Sequence, residues 1–224
     1  MRAADQRLPG RQARARVTGA AARPVVLVLA RHFARGPVKT RLAADIGADA
    51  ARAAYRRVAE AVWTGLADPR ITRWLLVEPA DAVAEASDWL PGAGRVQAQV
   101  PGDLGERLAA GFRAAFAAGA PAALAVGTDA PAVTAELVLS AAQALQQHDV
   151  AMVPSLDGGY ALIGMQRAHL ELFRDIPWSS ATVLASTRAR LRAAGLRWSE
   201  LAPVRDLDTL EDLRALQAEG LLPA

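Results

Sequence analysis

The only lysine of the chain, Lys39, lies in a basic segment that could bind a phosphorylated ligand. Residues 30–42 follow a short apolar run, contain Gly36 and include Lys39, Thr40 and Arg41 near their end. Such a segment can bind a pyrophosphate through backbone N–H groups and cationic side chains. A compact ammonium is favoured where a planar guanidinium would not fit. The alternative is a solvated basic loop.

Asp129 follows a second apolar run, residues 122–126, and precedes Pro131. A carboxylate fixed at the carboxyl end of a strand is a hard oxygen ligand suited to Mg²⁺ or Mn²⁺. Because Asp-x-Pro is also common in turns, a purely structural role is the alternative.

Asp206 and Asp208 form an acidic pair further along the sequence. On an extended segment both side chains point to the same side, so the two carboxylates either share a cation or repel each other. Thr209 and Asp212 resemble a helix-start box, which predicts a capping role for Asp212. A structural role is therefore also the alternative for the acidic pair.

Two glycines after Asp157 could allow a ligand to approach the backbone closely. Gly158 and Gly159 have no side chains, and Asp157 could accept a hydrogen bond from a sugar hydroxyl or a metal-bound water. An Asp-Gly turn into a hairpin explains the same residues. The sequence leaves both interpretations open.

Residues 99–108 lead into a predicted helix whose first N–H groups could face an anion or a base edge. Gln99 at the beginning of this segment offers both a hydrogen-bond donor and an acceptor. Helix capping is the alternative, and it is the favoured interpretation for Asp103.

Alternating strands and helices must position these segments. Strands are predicted at residues 25–30, 72–77, 95–100, 122–126, 150–154 and 160–165. Helices are predicted at residues 50–66, with Asp49 as N-cap, and at 81–89, 105–118, 134–147, 183–194 and 209–217. This alternation predicts an α/β fold, a three-layer sandwich with a mostly parallel central sheet, in one domain over residues 24–224. In such sheets the ligand lies beyond the carboxyl ends of the strands.

The composition excludes several other classes of protein. The 224 residues are 52% hydrophobic and 22% charged, which is enough apolar sequence for a core. Without cysteine the chain has no disulfide, cysteine-bound metal or thiol nucleophile. We find no apolar run long enough for a transmembrane segment and no signal-peptide core, so a cytoplasmic location is expected.

The net charge of +3 is unevenly distributed. Residues 1–23 hold six arginines and one aspartate, a net of +5, and the rest of the chain carries −2. A slightly acidic body argues against a nucleic-acid partner. Residues 1–23 are predicted to be a basic, disordered extension.

Six motifs occur in an order that resembles a known bacterial family. They are GPVKTRL, GDLGERL, GTDAP, DGGYALIG, PWSSATV and DLDTLEDL, within residues 25–217. The sequence resembles the GT-A-like radical-SAM/selenodomain-associated transferase 1 family, also described as arsenosugar-biosynthesis glycosyltransferase-like. More distantly, it resembles the phospholactate and phosphoenolpyruvate guanylyltransferases and the molybdenum-cofactor nucleotidyltransferases. The resemblance implies a GT-A fold, a nucleotide-activated donor and a divalent metal.

The resemblance also assigns roles to residues. Gly36, Lys39 and Arg41 match the phosphate loop, Gln99 the nucleotide side, and Asp157 the acceptor-side turn. The predicted catalytic residues are Lys39, Asp129 and Asp157, and the predicted metal ligands are Asp129 and Asp208. The predicted donor-binding residues are Gly36, Lys39, Thr40, Arg41, Gln99, Gly102, Gly105, Arg107, Gly158 and Gly159.

These residues lead to three hypotheses about function. The first is a glycosyltransferase that uses Mg²⁺ or Mn²⁺, a nucleotide sugar and a small-molecule acceptor. The second is a nucleotidyltransferase that transfers NMP from an NTP to a phosphorylated or acidic acceptor. Arg31 and Phe33 replace the lysine and proline usual in the family, which motivates the third, an inactive nucleotide-binding or scaffold protein.

Overall fold

The apolar run after Pro24 forms strand β1, Val25–Arg31, inside a seven-stranded sheet. The structure is a computed structural model and describes residues 23–223. The predicted disordered extension therefore lies outside the described residues, apart from Arg23. The other strands are β2 (Thr72–Glu78), β3 (Arg95–Ala98), β4 (Ala123–Gly127), β5 (Val150–Pro154), β6 (Tyr160–Met165) and β7 (Trp198–Glu200).

Strand β1 is buried on both faces because its alternating side chains enter two separate cores. Val26 and Val28 pack in one core, and Val25 and Leu27 pack in the other. Each such side chain stabilises the fold by about 1.5–3 kcal/mol when it leaves water. Helices cover both faces of the sheet, so the predicted three-layer α/β sandwich is confirmed.

The strand order is β3-β2-β1-β4-β6-β5-β7. Strand β6 runs antiparallel to β4 and β5, and the remaining neighbours pair in parallel. The prediction of a mostly parallel sheet is therefore correct. Because β1 and β4 are parallel neighbours, with Leu29 opposite Gly127, the residues that follow them meet at one edge.

The described residues form seven α-helices. They are α1 (Thr40–Ile46), α2 (Ala48–Gly65), α3 (Val83–Trp89), α4 (Leu104–Ala117), α5 (Ala135–Ala144), α6 (Val183–Ala193) and α7 (Leu210–Ala218). Short 3₁₀ turns lie at Ala80–Ala82 and Leu170–Phe173. None of the helices within residues 23–223 is long and apolar enough to cross a membrane.

Capping explains several of the polar residues at helix ends. Asp103 accepts a hydrogen bond from the Glu106 N–H, and Thr209 accepts one from the Asp212 N–H. Both pairs form reciprocal capping boxes, so the capping roles predicted for Asp103 and Asp212 are confirmed.

The sequence-based assignment missed α1 and β7 and placed one cap wrongly. The N-cap of α2 is Gly47, with φ at 86°, and Asp49 lies in the first turn instead. Gly47 turns the chain sharply between α1 and α2, so the second helix begins earlier than the apolar spacing suggested. Strand β7 has only three residues, too few to give a recognisable alternation.

Candidate active site

Lys39, Asp129 and Asp208 meet at the carboxyl edge of the sheet. The Lys39 Nζ lies 3.0 Å from Asp129 Oδ2 and 4.0 Å from Asp208 Oδ1. Arg41 reaches the same group from α1, with its Nη1 2.6 Å from Asp208 Oδ2. Residues far apart in sequence thus form one cluster of two carboxylates and two cations.

Backbone contacts hold the two carboxylates in place. The Leu207 N–H donates to the Asp129 carbonyl oxygen at 2.8 Å, which ties the acidic segment to the loop after β4. At Gly127 a Cβ atom would lie 2.7 Å from Asp129 Oδ1, so a side chain there would displace the carboxylate. The glycine that ends β4 therefore permits the observed position of Asp129.

Lys39 is fixed by both its backbone and its side chain. Its backbone is left-handed, with φ at 47° and ψ at 55°, which is uncommon for a residue with a Cβ atom. Such conformations cluster at functional sites. Burial is the largest influence and lowers the pKa of Lys39, but the charge and hydrogen bond of Asp129, together with the charges of Asp208 and Asp206, outweigh it and raise the pKa. The side chain is therefore an ammonium at neutral pH.

Tyr55 connects the loops that carry the lysine and the aspartate. Its buried hydroxyl donates to the Arg31 carbonyl oxygen at 2.9 Å and lies 2.9 Å from Thr128 Oγ1. The hydroxyl therefore links the end of β1 to the residue before Asp129. Neither Tyr55 nor Thr128 was predicted as a site residue. Tyr55 lies on the apolar face of α2, where aromatic residues usually belong to the core.

A first cavity of about 550 Å³ opens beside this cluster, between the ends of β1, β2 and β4. Lys39, Thr40, Gln99, Asp129 and Asp208 line it. The Gln99 Nε2 donates to the carbonyl oxygens of Ala30 at 3.2 Å and Leu76 at 2.9 Å, so its side-chain oxygen remains for a ligand. The volume of this first cavity lies within the range found for sites that bind small molecules.

Glu78 is a charged residue of the first cavity that the sequence analysis missed. Its carboxylate accepts hydrogen bonds from both Arg107 Nη atoms and lies 3.2 Å from Arg31 Nη2. The available signal for a site residue was that Glu78 is charged and directly follows the predicted strand at residues 72–77. Hydrogen bonding by Arg107 is the main cause of the lowered Glu78 pKa, and the Arg31 charge adds to it.

We predict that Glu78→Gln lowers the free energy of unfolding by about 1 kcal/mol at pH 7. The folded-state pKa of Glu78 lies below its unfolded value, so its stabilisation is present above the unfolded pKa and is lost as the pH falls through the folded pKa. Urea titrations from pH 7 to below about pH 4 should show the difference from wild type shrinking. Asp49→Asn, at a 96% exposed carboxylate, is the control and should change little. A difference that stays constant with pH would contradict the assignment.

A second cavity of about 760 Å³ lies on the other side of the cluster. Lys39, Thr40, Asp129 and Asp208 also line this cavity, so the two cavities meet at the candidate site. The other polar residues that line it are Arg41, Ser155, Asp157, Tyr160, Trp178, Ser179, Ser180 and Asp206.

Asp206 faces this second cavity and is held by a buried partner. The Ser155 hydroxyl donates to Asp206 Oδ1 at 2.7 Å. Burial is the main cause that raises the pKa of Asp206; the charges of Asp129 and Asp157 add to it, and the hydrogen bond from Ser155 opposes it. The two acidic residues predicted to share one side both line the cavity, but only Asp208 is paired with the cations of the cluster.

The glycine segments have structural explanations. Asp157, Gly158 and Gly159 form the turn between antiparallel strands β5 and β6, and the Gly159 N–H donates to Asp157 Oδ1 at 2.8 Å. Asp157 and Gly159 also line the second cavity, so this segment is a hairpin turn at a cavity wall. Predicted donor-binding residues that line neither cavity are Gly36, Gly102, Gly105, Arg107 and Gly158.

Packing requires glycine at three of these positions. A Cβ at Gly158 would overlap the Ala181 carbonyl oxygen, and one at Gly105 would lie 2.8 Å from Trp178 Nε1. A Cβ at Gly102 would overlap the Glu106 carboxylate of the capping box. At these three positions the glycine backbone therefore lies close to other atoms of the protein, where a ligand had been predicted.

Gly158→Ala is predicted to lower the free energy of unfolding by about 2–4 kcal/mol, through steric overlap and positive φ together. Gly119→Ala is the matched control, because Gly119 has a similar φ of 84° but no atom within 4 Å of the added methyl. Gly119→Ala should lower the free energy of unfolding by only about 1 kcal/mol. Thermal and urea unfolding would measure the stability of both variants, and equal losses of stability would contradict the packing explanation.

Asp129 and Asp208 are the carboxylates of the cluster that could hold a divalent cation. Within residues 23–223, no group of three His, Cys, Asp or Glu side chains has the spacing of a metal site. Mg²⁺ needs only one or two carboxylates when substrate phosphates complete its coordination. Asp129 and Asp208 fit that requirement, with Lys39 bridging them.

The fold is that of the nucleotide-diphospho-sugar transferases, a mixed α/β sheet with helices on both faces. Residues 61–180 match the family described as an uncharacterized protein conserved in bacteria, DUF2064. The chain belongs to this family. No curated protein matches the sequence.

Solved structures extend this comparison. A protein of Desulfovibrio desulfuricans G20, whose assumed activity is nucleotide-diphospho-sugar transfer, is 33% identical, with a TM-score of 0.82 over 88% of this chain and 87% of that one. The 4-diphosphocytidyl-2C-methyl-D-erythritol synthase of Anaerococcus prevotii is 11% identical, with a TM-score of 0.59 over 89% and 97%. A CMP:2-keto-3-deoxy-manno-octonic acid synthetase complexed with CTP is 15% identical, with a TM-score of 0.53 over 89% and 100%.

Proposed function

We propose that residues 24–224 form a single transferase domain that uses a nucleotide-activated donor and a divalent metal ion, and that the donor is a nucleotide sugar. The observation that carries this proposal is the junction of two cavities at Lys39, Asp129 and Asp208. A reaction between two substrates needs two adjoining binding spaces and charge stabilisation where they meet.

In this proposal the first cavity binds the nucleotide and directs its diphosphate toward the cluster. Lys39 and Arg41 stabilise the negative charge of the departing diphosphate. Asp129 and Asp208 would hold a Mg²⁺ or Mn²⁺ ion, which would supply Lewis-acid stabilisation of the departing diphosphate. Without these cations, the diphosphate would bring uncompensated charge into a partly enclosed site.

The second cavity binds the acceptor. Asp157 lies at its wall, on the hairpin turn, where its carboxylate can accept a hydrogen bond from the attacking group. Asp157 then receives the proton when the new bond forms.

The relatives support a transferase that uses nucleotides. The 33% identical protein has nucleotide-diphospho-sugar transfer as its assumed activity. The cytidylyl-type enzymes that share the fold favour a second candidate, nucleotidyl transfer from an NTP on the same scaffold. In that reaction the leaving group at the cluster is pyrophosphate instead of a nucleoside diphosphate.

Calorimetric titration of the protein with nucleoside di- and triphosphates, UDP-sugars and GDP-sugars, with and without Mn²⁺, tests the proposal. We expect binding that requires Mn²⁺, followed by release of a nucleoside diphosphate when acceptors are added. Release of pyrophosphate from an NTP would favour the second candidate. Binding without any turnover would favour an inactive nucleotide-binding protein, and no binding at all would refute the proposal.

A further inference from the structure

We propose that the second cavity takes an acceptor that carries hydroxyl or amino groups and no negative charge. Phosphate esters and carboxylates are then excluded by Asp157 and Asp206. The inference rests on the proposed function, because that function assigns the second cavity to the acceptor.

The charges that line the second cavity are unbalanced. Four carboxylates face it, from Asp129, Asp157, Asp206 and Asp208, against the cations of Lys39 and Arg41. Asp129 and Asp208 are paired with those cations at 3.0 Å and 2.6 Å.

Asp157 and Asp206 have only hydrogen-bond partners. Asp206 accepts from the Ser155 hydroxyl, and Asp157 accepts from the Gly159 N–H. In the part of the chain that the structure describes, neither carboxylate has a lysine or arginine nitrogen within 4.0 Å. Two carboxylates therefore face the acceptor space without an ion pair of their own.

Donor binding does not remove this excess. A divalent cation, Lys39 and Arg41 together bring four positive charges, which offset Asp129, Asp208 and the roughly two charges of a nucleotide-sugar diphosphate. No cation of the cluster then remains to neutralise the other two carboxylates. The loaded site presents Asp157 and Asp206 to the acceptor as before.

An acceptor must match this surface. Carboxylate oxygens accept hydrogen bonds, so they suit the O–H groups of a sugar or polyol and the N–H groups of an amine. A phosphate or carboxylate would add like charge beside two carboxylates in a partly enclosed space, where repulsion is strong. The cavity thus favours neutral or cationic polyhydroxylated molecules.

Matched pairs of probes test the inference without knowledge of the natural acceptor. Glucose, mannitol, glycerol and glucosamine are each compared with their phosphate esters by calorimetry and saturation-transfer NMR. The protein is measured alone and loaded with Mn²⁺ and a nucleoside diphosphate. We expect the unphosphorylated member of a pair to bind at least about tenfold more tightly.

Charge-removing variants connect the preference to the two carboxylates. The double variant D157N/D206N should reduce the preference for the unphosphorylated member of each pair by about tenfold, because neutral amides no longer repel a phosphate. Asp88→Asn, at an exposed carboxylate outside both cavities, removes the same kind of charge and should leave the preference unchanged.

Three results would overturn the inference: equal binding within each pair, tighter binding of the esters, or no binding of any unphosphorylated compound. An unchanged preference in D157N/D206N would equally refute the role of the two carboxylates. Loss of Mn²⁺-dependent nucleotide binding is a separate result, and it would refute the proposed function alone. In that case the relative affinity for the unphosphorylated and phosphorylated probes, measured without Mn²⁺ and nucleotide, would still test which ligands the second cavity accepts.

Discussion

Replacing Lys39 with methionine is expected to reduce turnover of the nucleotide donor by about 10²- to 10³-fold. The ammonium lies 3.0 Å from Asp129 and is 87% shielded from solvent, so water cannot replace its charge at the departing diphosphate. Steady-state assays of diphosphate release would measure the loss. Nucleotide affinity should fall less than turnover, because the charge on the leaving group increases in the transition state.

Lys39→Arg is the control that keeps the charge. A planar guanidinium does not reproduce a compact ammonium between two carboxylates, so we expect this variant to fold stably and still to lose most turnover. Full activity of Lys39→Met would remove Lys39 from the proposed machinery.

The second large effect is expected for Asp129→Asn. This variant should lower nucleotide affinity in the presence of Mn²⁺ by about 100-fold, or about 2.7 kcal/mol, because an anionic metal ligand is lost. Folding should survive, since the Asp129 carbonyl still accepts from the Leu207 N–H and the amide oxygen can still accept from Lys39. Calorimetry measures the affinity, and thermal unfolding measures the fold.

Asp88→Asn provides the comparison for Asp129→Asn, because it removes one carboxylate from an exposed position on α3. We expect wild-type nucleotide binding in that variant. If Asp129→Asn also bound nucleotide with Mn²⁺ as the wild type does, Asp129 would be only a turn residue of the fold.

The sequence was most informative where structure depends on neighbouring residues. The apolar run at residues 25–30 predicted a strand buried on both faces, and alternation along the chain predicted the layers of the sandwich. The capping boxes at Asp103 and Thr209 were also recognisable, because each depends on residues three positions apart.

Contacts between distant residues could not be predicted in this way. The Lys39–Asp129 pair is 90 residues apart and the Arg41–Asp208 pair 167 residues apart, so their contact depends on the strand order. Motif order suggested that these residues belong together, but the pairing of β1 with β4 and the hydrogen bond from the Leu207 N–H to the Asp129 carbonyl oxygen bring them into contact. The Glu78–Arg107 pair had no motif to indicate it.

Glycine residues in the sequence were the least reliable indicators of ligand-binding positions. A glycine that admits a ligand and one that admits the protein's own backbone look identical in sequence. Gly158 is packed against Ala181, and Gly105 against Trp178. The two cases can be distinguished only from the atoms that surround the glycine in the folded structure.

In the proposed mechanism, Asp129 and Asp208 share a divalent cation that is bound together with a nucleotide diphosphate. The Lys39 ammonium lies 3.0 Å from the Asp129 carboxylate and 4.0 Å from that of Asp208. A divalent ion held by these carboxylates would compete with the ammonium for them, and a bound diphosphate would give the ammonium another partner. Metal and nucleotide should therefore strengthen each other's binding by the same factor.

Calorimetric titration of Mn²⁺ with and without a saturating nucleoside diphosphate, corrected for their association in solution, measures that factor most directly. We expect nucleotide to tighten Mn²⁺ binding by about tenfold or more, and Asp208→Asn to abolish this effect. Equal Mn²⁺ affinity with and without nucleotide in the wild-type protein would rule out the shared site.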